Sequence, residues 1–201
     1  MRPYIRYMGS SMQSHQFDIV PLTWEETYPV WRDRCWPNRT SPIKPHSSMM
    51  FLGGNDTTIT RYPVSFFGTK LEDGYVVSVI GGHRTTDELY RHRSFWIDPP
   101  YRGGKLAQAL LQRLEAQAKS EGCQAMWGYP RPSIMPAYRR FGLRQVSKWL
   151  PDGENGVPNC YAIKYFDEHR STRAAALADE QPCNTKLFSA SILGSQHAQS
   201  Q

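Results

Sequence analysis

The sequence has no long hydrophobic run. Its longest apolar stretch is a handful of residues, far short of the roughly 20 that cross a bilayer as a helix. Residues Met1 to Gln16 contain no hydrophobic segment and do not read as a secretory signal. Cysteine is sparse: Cys35, Cys123, Cys160 and Cys183 stand far apart and form no Cys-x-x-Cys pair. That argues against a disulfide framework or a zinc site, and for reduced thiols in a cytoplasmic protein. The six histidines show no His-Glu-x-x-His or other ligand spacing, so no metal is expected. No run of five Lys or Arg occurs, so a nucleic-acid-binding arm is not indicated, though nucleic acid is not excluded as a partner. There is no internal repeat.

What remains is a 201-residue chain, enough for one domain with tails, with 39% hydrophobic and 21% charged residues. Its formal net charge of +6 favours acidic partners such as phosphates or a nucleotide cofactor. Residues 1 to 15 read as a flexible start and residues 169 to 201, rich in Ser, Ala, Gln and Thr with few large apolar groups, as a flexible tail, around a domain at 16 to 168. Phe17 to Leu22 predicts a first strand. Thr23 with Glu25 and Glu26 after it predicts a capped helix, interrupted or delayed by Pro29. On that helix Trp24, Tyr28, Trp31 and Trp36 fall near helical spacing and suit a face packed on a sheet, or the wall of a pocket. Residues 37 to 54, rich in Pro, Ser, Asn and Gly, predict a long loop of the kind that covers binding sites.

Three strands follow. Tyr62 to Leu71 and Tyr75 to Ile80 flank an Asp73-Gly74 hairpin signal, Gly81-Gly82 ends or bulges the second, and Tyr90 to Ile97 is the third. Pro99 and Pro100 stop it. Leu106, Leu110, Leu111, Leu114 and Ala118 then form one helical stripe, with Gly122 as its terminating glycine. A strand at 124 to 129, a short helix from Pro132 to Phe141 ending at Gly142, and strands at 145 to 150 and 160 to 166 complete the order. Strands and helices in this alternation predict an α/β (α+β) fold: one mixed sheet with helices on both faces.

The chemistry concentrates between Phe95 and Glu121. A strand end and a Pro-Pro break lead into Arg102-Gly103-Gly104-Lys105, and the long helix starts directly after. Converging backbone N–H groups, a helix N-terminus and two cations in one place suit a pyrophosphate, which needs several donors with no side chain in the way.

These residues resemble the GNAT superfamily of N-acetyltransferases. The family's diphosphate loop reads Arg or Gln, two residues, Gly, one residue, then Gly or Ala; here it stands as Arg102-Gly103-Gly104-Lys105-Leu106-Ala107. The family's later Tyr-x-x-x-Gly-Phe stands as Tyr138-Arg139-Arg140-Phe141-Gly142-Leu143. The resemblance covers roughly residues 17 to 166 and implies a single domain with a mostly antiparallel, splayed sheet. It implies acetyl-coenzyme A as cosubstrate and an unidentified primary amine as acceptor, and a homodimer is a common family outcome. It further implies main-chain bonding of the coenzyme by Phe95, Trp96 and Ile97, diphosphate binding by Arg102 to Ala107, and a backbone N–H that polarises the acetyl carbonyl. Tyr138 stands where the family places the general acid for the leaving thiolate.

The chain departs from the family pattern at three places. Lys105 occupies a loop glycine position, where its ammonium either pairs with phosphate or crowds it. Arg131 stands where many relatives carry a coenzyme-contacting Asn, and an Arg there suits a phosphate. Arg91 stands where many relatives carry a basic Glu, and no Arg accepts a proton. His83, Glu88 and His92 are the nearby candidates for a general base, His83 first, with a water chain as an equal answer. Arg91 and Arg93 share a strand face; directed into the acceptor groove, they favour an acidic or phosphorylated substrate. Two other readings stay open: a GNAT-like module that binds nucleic acid or protein without turnover, and transfer of another acyl group or onto a nucleobase.

Overall fold

The computed structural model describes residues 18–151 and 156–167; the two predicted tails lie outside the described residues. Seven strands form one sheet in the order β1-β2-β3-β4-β5-β7-β6. They are β1 (Val20–Pro21), β2 (Val64–Lys70), β3 (Val76–Arg84), β4 (Leu89–Ile97), β5 (Ala125–Gly128), β6 (Arg144–Gln145) and β7 (Ala162–Tyr165). Every neighbouring pair is antiparallel except β4 and β5. Those two are parallel because the chain between them crosses over through a helix, as a parallel pair requires.

The predicted capping residue starts the first helix, α1 (Trp24–Val30): Glu26 N–H donates to Thr23 Oγ1 at 3.2 Å, and Thr23 N–H to Glu26 Oε2 at 2.8 Å. Lys70 Nζ reaches the other Glu26 oxygen at 2.8 Å, tying the helix start to β2. Pro29 lies inside the helix and does not delay it. Past it the chain winds on as a π-helix over Trp31–Cys35, with Trp36 N–H bonded to the Trp31 carbonyl at 2.9 Å. Such wide turns often mark functional sites, and this one sets Cys35 and Trp36 at the rim of a cleft.

Helix α2 (Leu106–Ser120) buries the leucine stripe read from the sequence, and Gly122, at φ +81°, ends it. Helix α3 (Met135–Phe141) ends at Gly142, whose φ of +99° turns the chain so that Leu143 N–H closes on the Tyr138 carbonyl. Alternation along the strands sends neighbours to opposite faces. Phe67, Ile80, Tyr90 and Met126 meet α2 and α3 on one side. Phe66 and Val79 meet Trp31 on the other, with Trp24 and Trp36 packed at its border. Further along that second face Trp127 and Tyr161 are covered by Met49, Phe51 and Leu52 of the long loop. The aromatic residues of the first helix thus form a packed face, Trp31 lying 5.3 Å from Trp24 and 5.4 Å from Trp36 between ring centres.

Two sequence expectations are refined. Of the two outcomes expected at Gly81-Gly82, the strand does not end, since β3 runs through to Arg84, but its pairing with β4 does bulge, shifting register between Val79 and Gly81. The glycines instead admit close neighbours on both faces. A Cβ on Gly81 would stand 2.8 Å from the Trp31 ring, and one on Gly82 would stand 2.4 Å from the Tyr90 ring and 2.8 Å from the Arg91 carbonyl oxygen. The strand expected at 145 to 150 is shorter and earlier, because only Arg144 and Gln145 find partners in β7. Substituting Gly82→Ala is expected to destabilise the protein by about 1–3 kcal/mol through overpacking. A denaturation midpoint equal to the parent's would refute the close-packing account.

Candidate active site

The site is made by strands that part company. β4 and β5 pair only at Leu89–Arg91 with Ala125–Trp127, and beyond that no strand joins β4 on this side among the described residues. The ring of His92 fills the start of the gap: a Cβ on Gly128 would lie 2.0 Å from His92 Nε2. On its other edge β4 bulges. Val79 pairs with Trp96 and Gly81 with Arg93, so Ser94 and Phe95 together face one residue of β3. Ser94 sits at φ +56°, a conformation uncommon for a residue with a side chain and concentrated at functional sites.

A cleft of about 1050 Å³ opens there. Its walls are the β4 residues Arg91 to Ile97, the loop Tyr101 to Gly104, α3, the 129–131 connection and the Cys35–Trp36 turn. At the loop end, Gly103 has φ +86°, and a Cβ on Gly103 or Gly104 would meet nothing within 4 Å. The helix behind it starts at Lys105 with no side-chain cap, so its first N–H groups keep their capacity for an anion. Arg102 is braced, its Nε donating to the Ile97 carbonyl at 2.7 Å and its guanidinium lying 4.6 Å from the Trp96 ring centre. An uncapped helix start behind a loop clear of side chains fits a diphosphate.

Tyr138 lines the middle of the cleft. It is 4% exposed, its hydroxyl is 3.4 Å from His92 Nδ1, and its ring stacks on Phe95 at 6.1 Å. Burial pushes its phenol well above the usual range, so it stays protonated. Burial, aided by Arg91, holds the His92 imidazole down to about 3, so it is neutral. Burial likewise pushes the Cys35 thiol up to about 12, against the pull of Arg131 and Arg93.

Several residues chosen from the sequence come together here: Phe95, Trp96, Ile97, Arg102, Gly103, Gly104, Ala107, Arg131 and Tyr138, with Arg91 and Arg93. Four do not line the cleft. The Lys105 side chain is exposed, and its backbone holds φ −76° and ψ −8°, so the missing glycine leaves the helix start undistorted. Leu106 turns its side chain into the core. His83 is fully buried beneath the loop, with Nδ1 2.9 Å from the Arg84 carbonyl and Nε2 accepting from Ser47 N–H at 3.3 Å. Burial holds it down to about 3. Glu88 faces Gln124 instead, its Oε1 accepting from Gln124 Nε2 at 3.0 Å.

Arg91 and Arg93 share a strand face, as expected, and both reach the long loop. Arg91 donates to Ser47 Oγ, and Arg93 to the carbonyls of Lys44 and Pro45 at 2.9 and 2.7 Å. Sequence reasoning missed Cys35, Ser47 and Asn159, which also line the cleft. They come from a helix end and two loops, where no periodicity marks a residue.

A splayed parallel pair, a bulged strand and an anion-ready helix start define the class of transferases that take an acyl group from a coenzyme A thioester. The sequence matches the Acetyltransferase (GNAT) family over residues 19–143, and the chain belongs to that family. No curated protein matches it by sequence. Among solved structures it is similar to a candidate N-acetyltransferase from Lactobacillus plantarum, at 15% identity and a TM-score of 0.56, covering 75% of this chain and 99% of that one. It is also similar to a GNAT-family acetyltransferase from Staphylococcus aureus Mu50, at 14% identity and 0.54 over 75% and 99% of the two chains. A candidate acyl-CoA N-acyltransferase from Klebsiella pneumoniae is 17% identical, with a TM-score of 0.54 over 76% and 99%. At these identities the likeness is one of fold.

The two buried histidines generate a pH prediction. Their folded values lie below the ordinary value of 6.5, so the unfolded chain binds more protons. Stability is therefore full above about pH 6.5 and falls as pH drops toward 3, by about 1.4 kcal/mol per pH unit for each histidine. Urea midpoints between pH 7.5 and 4.5 should fall accordingly, and His83→Asn should make the decline shallower. An unchanged midpoint across that range would contradict the burial of neutral imidazoles.

Proposed function

We propose that the protein is an acetyl-coenzyme A-dependent N-acetyltransferase acting on a primary amine. The observation that carries this reading is a protonated, buried Tyr138 on the same cleft as the open Arg102-Gly103-Gly104 turn. In this reading the turn and the first N–H groups of α2 hold the diphosphate. Lys105 supplies positive charge near it, and the unpaired edge of β4 from Phe95 to Ile97 holds the pantetheine arm. The cosubstrate supplies an acetyl carbonyl already activated by a thiolate leaving group.

The chain's residues then act as follows. Backbone N–H at the Ser94–Phe95 bulge stabilises the negative charge that develops on the carbonyl oxygen. The C–N bond forms and the C–S bond breaks. The Tyr138 hydroxyl gives its proton to the departing sulfur, and the amine's surplus proton leaves through water. Neutral His92, against the Tyr138 hydroxyl, holds that phenol in place. No Asp or Glu is among the cleft's described lining residues, and seven arginines are. A field of that sign disfavours an ammonium ion, so the bound amine is presented uncharged without a carboxylate base. His83, sealed under the loop with both ring nitrogens engaged, has no part in this scheme.

Calorimetric titration is expected to give micromolar binding of acetyl-coenzyme A and of desulfo-coenzyme A, with no comparable binding of a short DNA duplex. Tyr138→Phe is expected to lower kcat by about 10²–10⁴-fold and to leave coenzyme affinity unchanged. Full activity in that variant would remove Tyr138 from the reaction. Absence of coenzyme binding would remove the acyl-transfer reading altogether.

A further inference from the structure

The cleft holds an uncompensated cation at the point where β4 leaves β5. Arg91 is 9% exposed and lies 4.9 Å from the Trp127 ring centre. Its charge faces the tyrosines Tyr129 and Tyr161, and no carboxylate pairs with it among the described residues. Ser47 Oγ takes one of its five donors, while its Nε is buried with no hydrogen-bond partner. Burial lowers its pKa to about 10, a mark of how poorly the site solvates the charge. Buried charges are ordinarily paired, and one left alone is expensive. A buried polar group without a partner needs an explanation, and a ligand beside Arg91 supplies one.

The surroundings reinforce the sign of that ligand. Arg93, next on the same face, and Arg131, across the cleft, both act on the Cys35 thiol that lines the same space. The Arg131 side chain has no hydrogen bond or ion pair to any described residue. The loop that Arg91 and Arg93 hold through Lys44, Pro45 and Ser47 covers this face, which favours a small molecule over an extended chain.

We infer that the acceptor is a small amine that also carries an anionic group, a carboxylate or a phosphate, and that Arg91 with Arg93 and Arg131 binds that anion. The inference rests on the acetyl-transfer reading above and names its substrate class. An anion beside Arg91 supplies the missing counter-ion, and guanidinium recognises both groups by paired hydrogen bonds. Polycationic amines are disfavoured by the same field.

The test uses the full chain after acetyl-coenzyme A binding has been established by calorimetry, so that failure of the coenzyme reading shows separately. Thiol release is then measured on matched amines: aspartate against its diamide, phosphoethanolamine against ethanolamine, and putrescine as the cation. At least one anionic member should exceed its neutral partner in kcat/KM by tenfold or more, with putrescine lowest, and the better pair tells carboxylate from phosphate. Arg91→Gln should collapse that ratio to within threefold while coenzyme affinity holds. If Arg91→Gln does not fold, Arg131→Gln, at a partly exposed side chain, serves for the same comparison. Preference for the neutral or cationic member overturns the inference, as does a ratio untouched in the folded variant. So does a coenzyme-loaded protein that neither acetylates nor binds any anionic member.

Discussion

The parting of two parallel strands, with the His92 ring laid over Gly128 where they separate, governs this molecule. β4 and β5 pair for three residues and then part, with the imidazole lying where a side chain on Gly128 would have to go. Gly128 carries none, so the ring fits; a larger residue there would force either the ring or the strand aside. The parting frees one edge of β4, opens the cleft, and gives α3 room to present Tyr138 against the same imidazole. On the opposite edge the Ser94 bulge breaks the register with β3, so the strand's polar groups are redirected just where the pairing stops.

Electrostatics within the cleft follow from what its walls omit. Seven arginines and no described carboxylate make a site that attracts phosphate at one end and resists a charged amine throughout. The two groups most suited to proton transfer by type, His92 and Cys35, are both moved by burial into unreactive forms, one neutral base far below its ordinary range and one protonated thiol far above it. Tyr138 likewise stays protonated, with its hydroxyl against the His92 ring. In the proposed reaction a phenol serves as the acid, while the field and water take the place of a base.

The sequence made the coenzyme end legible because its signals are local. A Pro-Pro stop, two glycines, a cation and a leucine stripe are read in order, and Leu106 to Ala118 folds as that stripe requires. Tyr138 was legible for a similar reason, four residues ahead of the helix-ending Gly142. The acceptor end was not, because it is assembled from distant segments. Arg91 could be seen on its strand, but Ser47 reaches it across 44 residues of chain and Trp127 from another strand. His83 looked available beside two glycines; those glycines draw Trp31 and Tyr90 against the strand, and the loop then seals the imidazole in. Pro29 suggested a late or broken helix, but a residue six places along α1 yields a π-turn after it instead.

The loop's attachment to β4 carries a last consequence. Arg93 grips main-chain carbonyls of Lys44 and Pro45, groups that every amino acid possesses. Replacing either of those two side chains leaves both acceptors in place, whereas the Arg91 attachment is lost with the Ser47 hydroxyl. The cover is thus fastened twice, once by groups that no side-chain substitution removes and once by a group that a single substitution does.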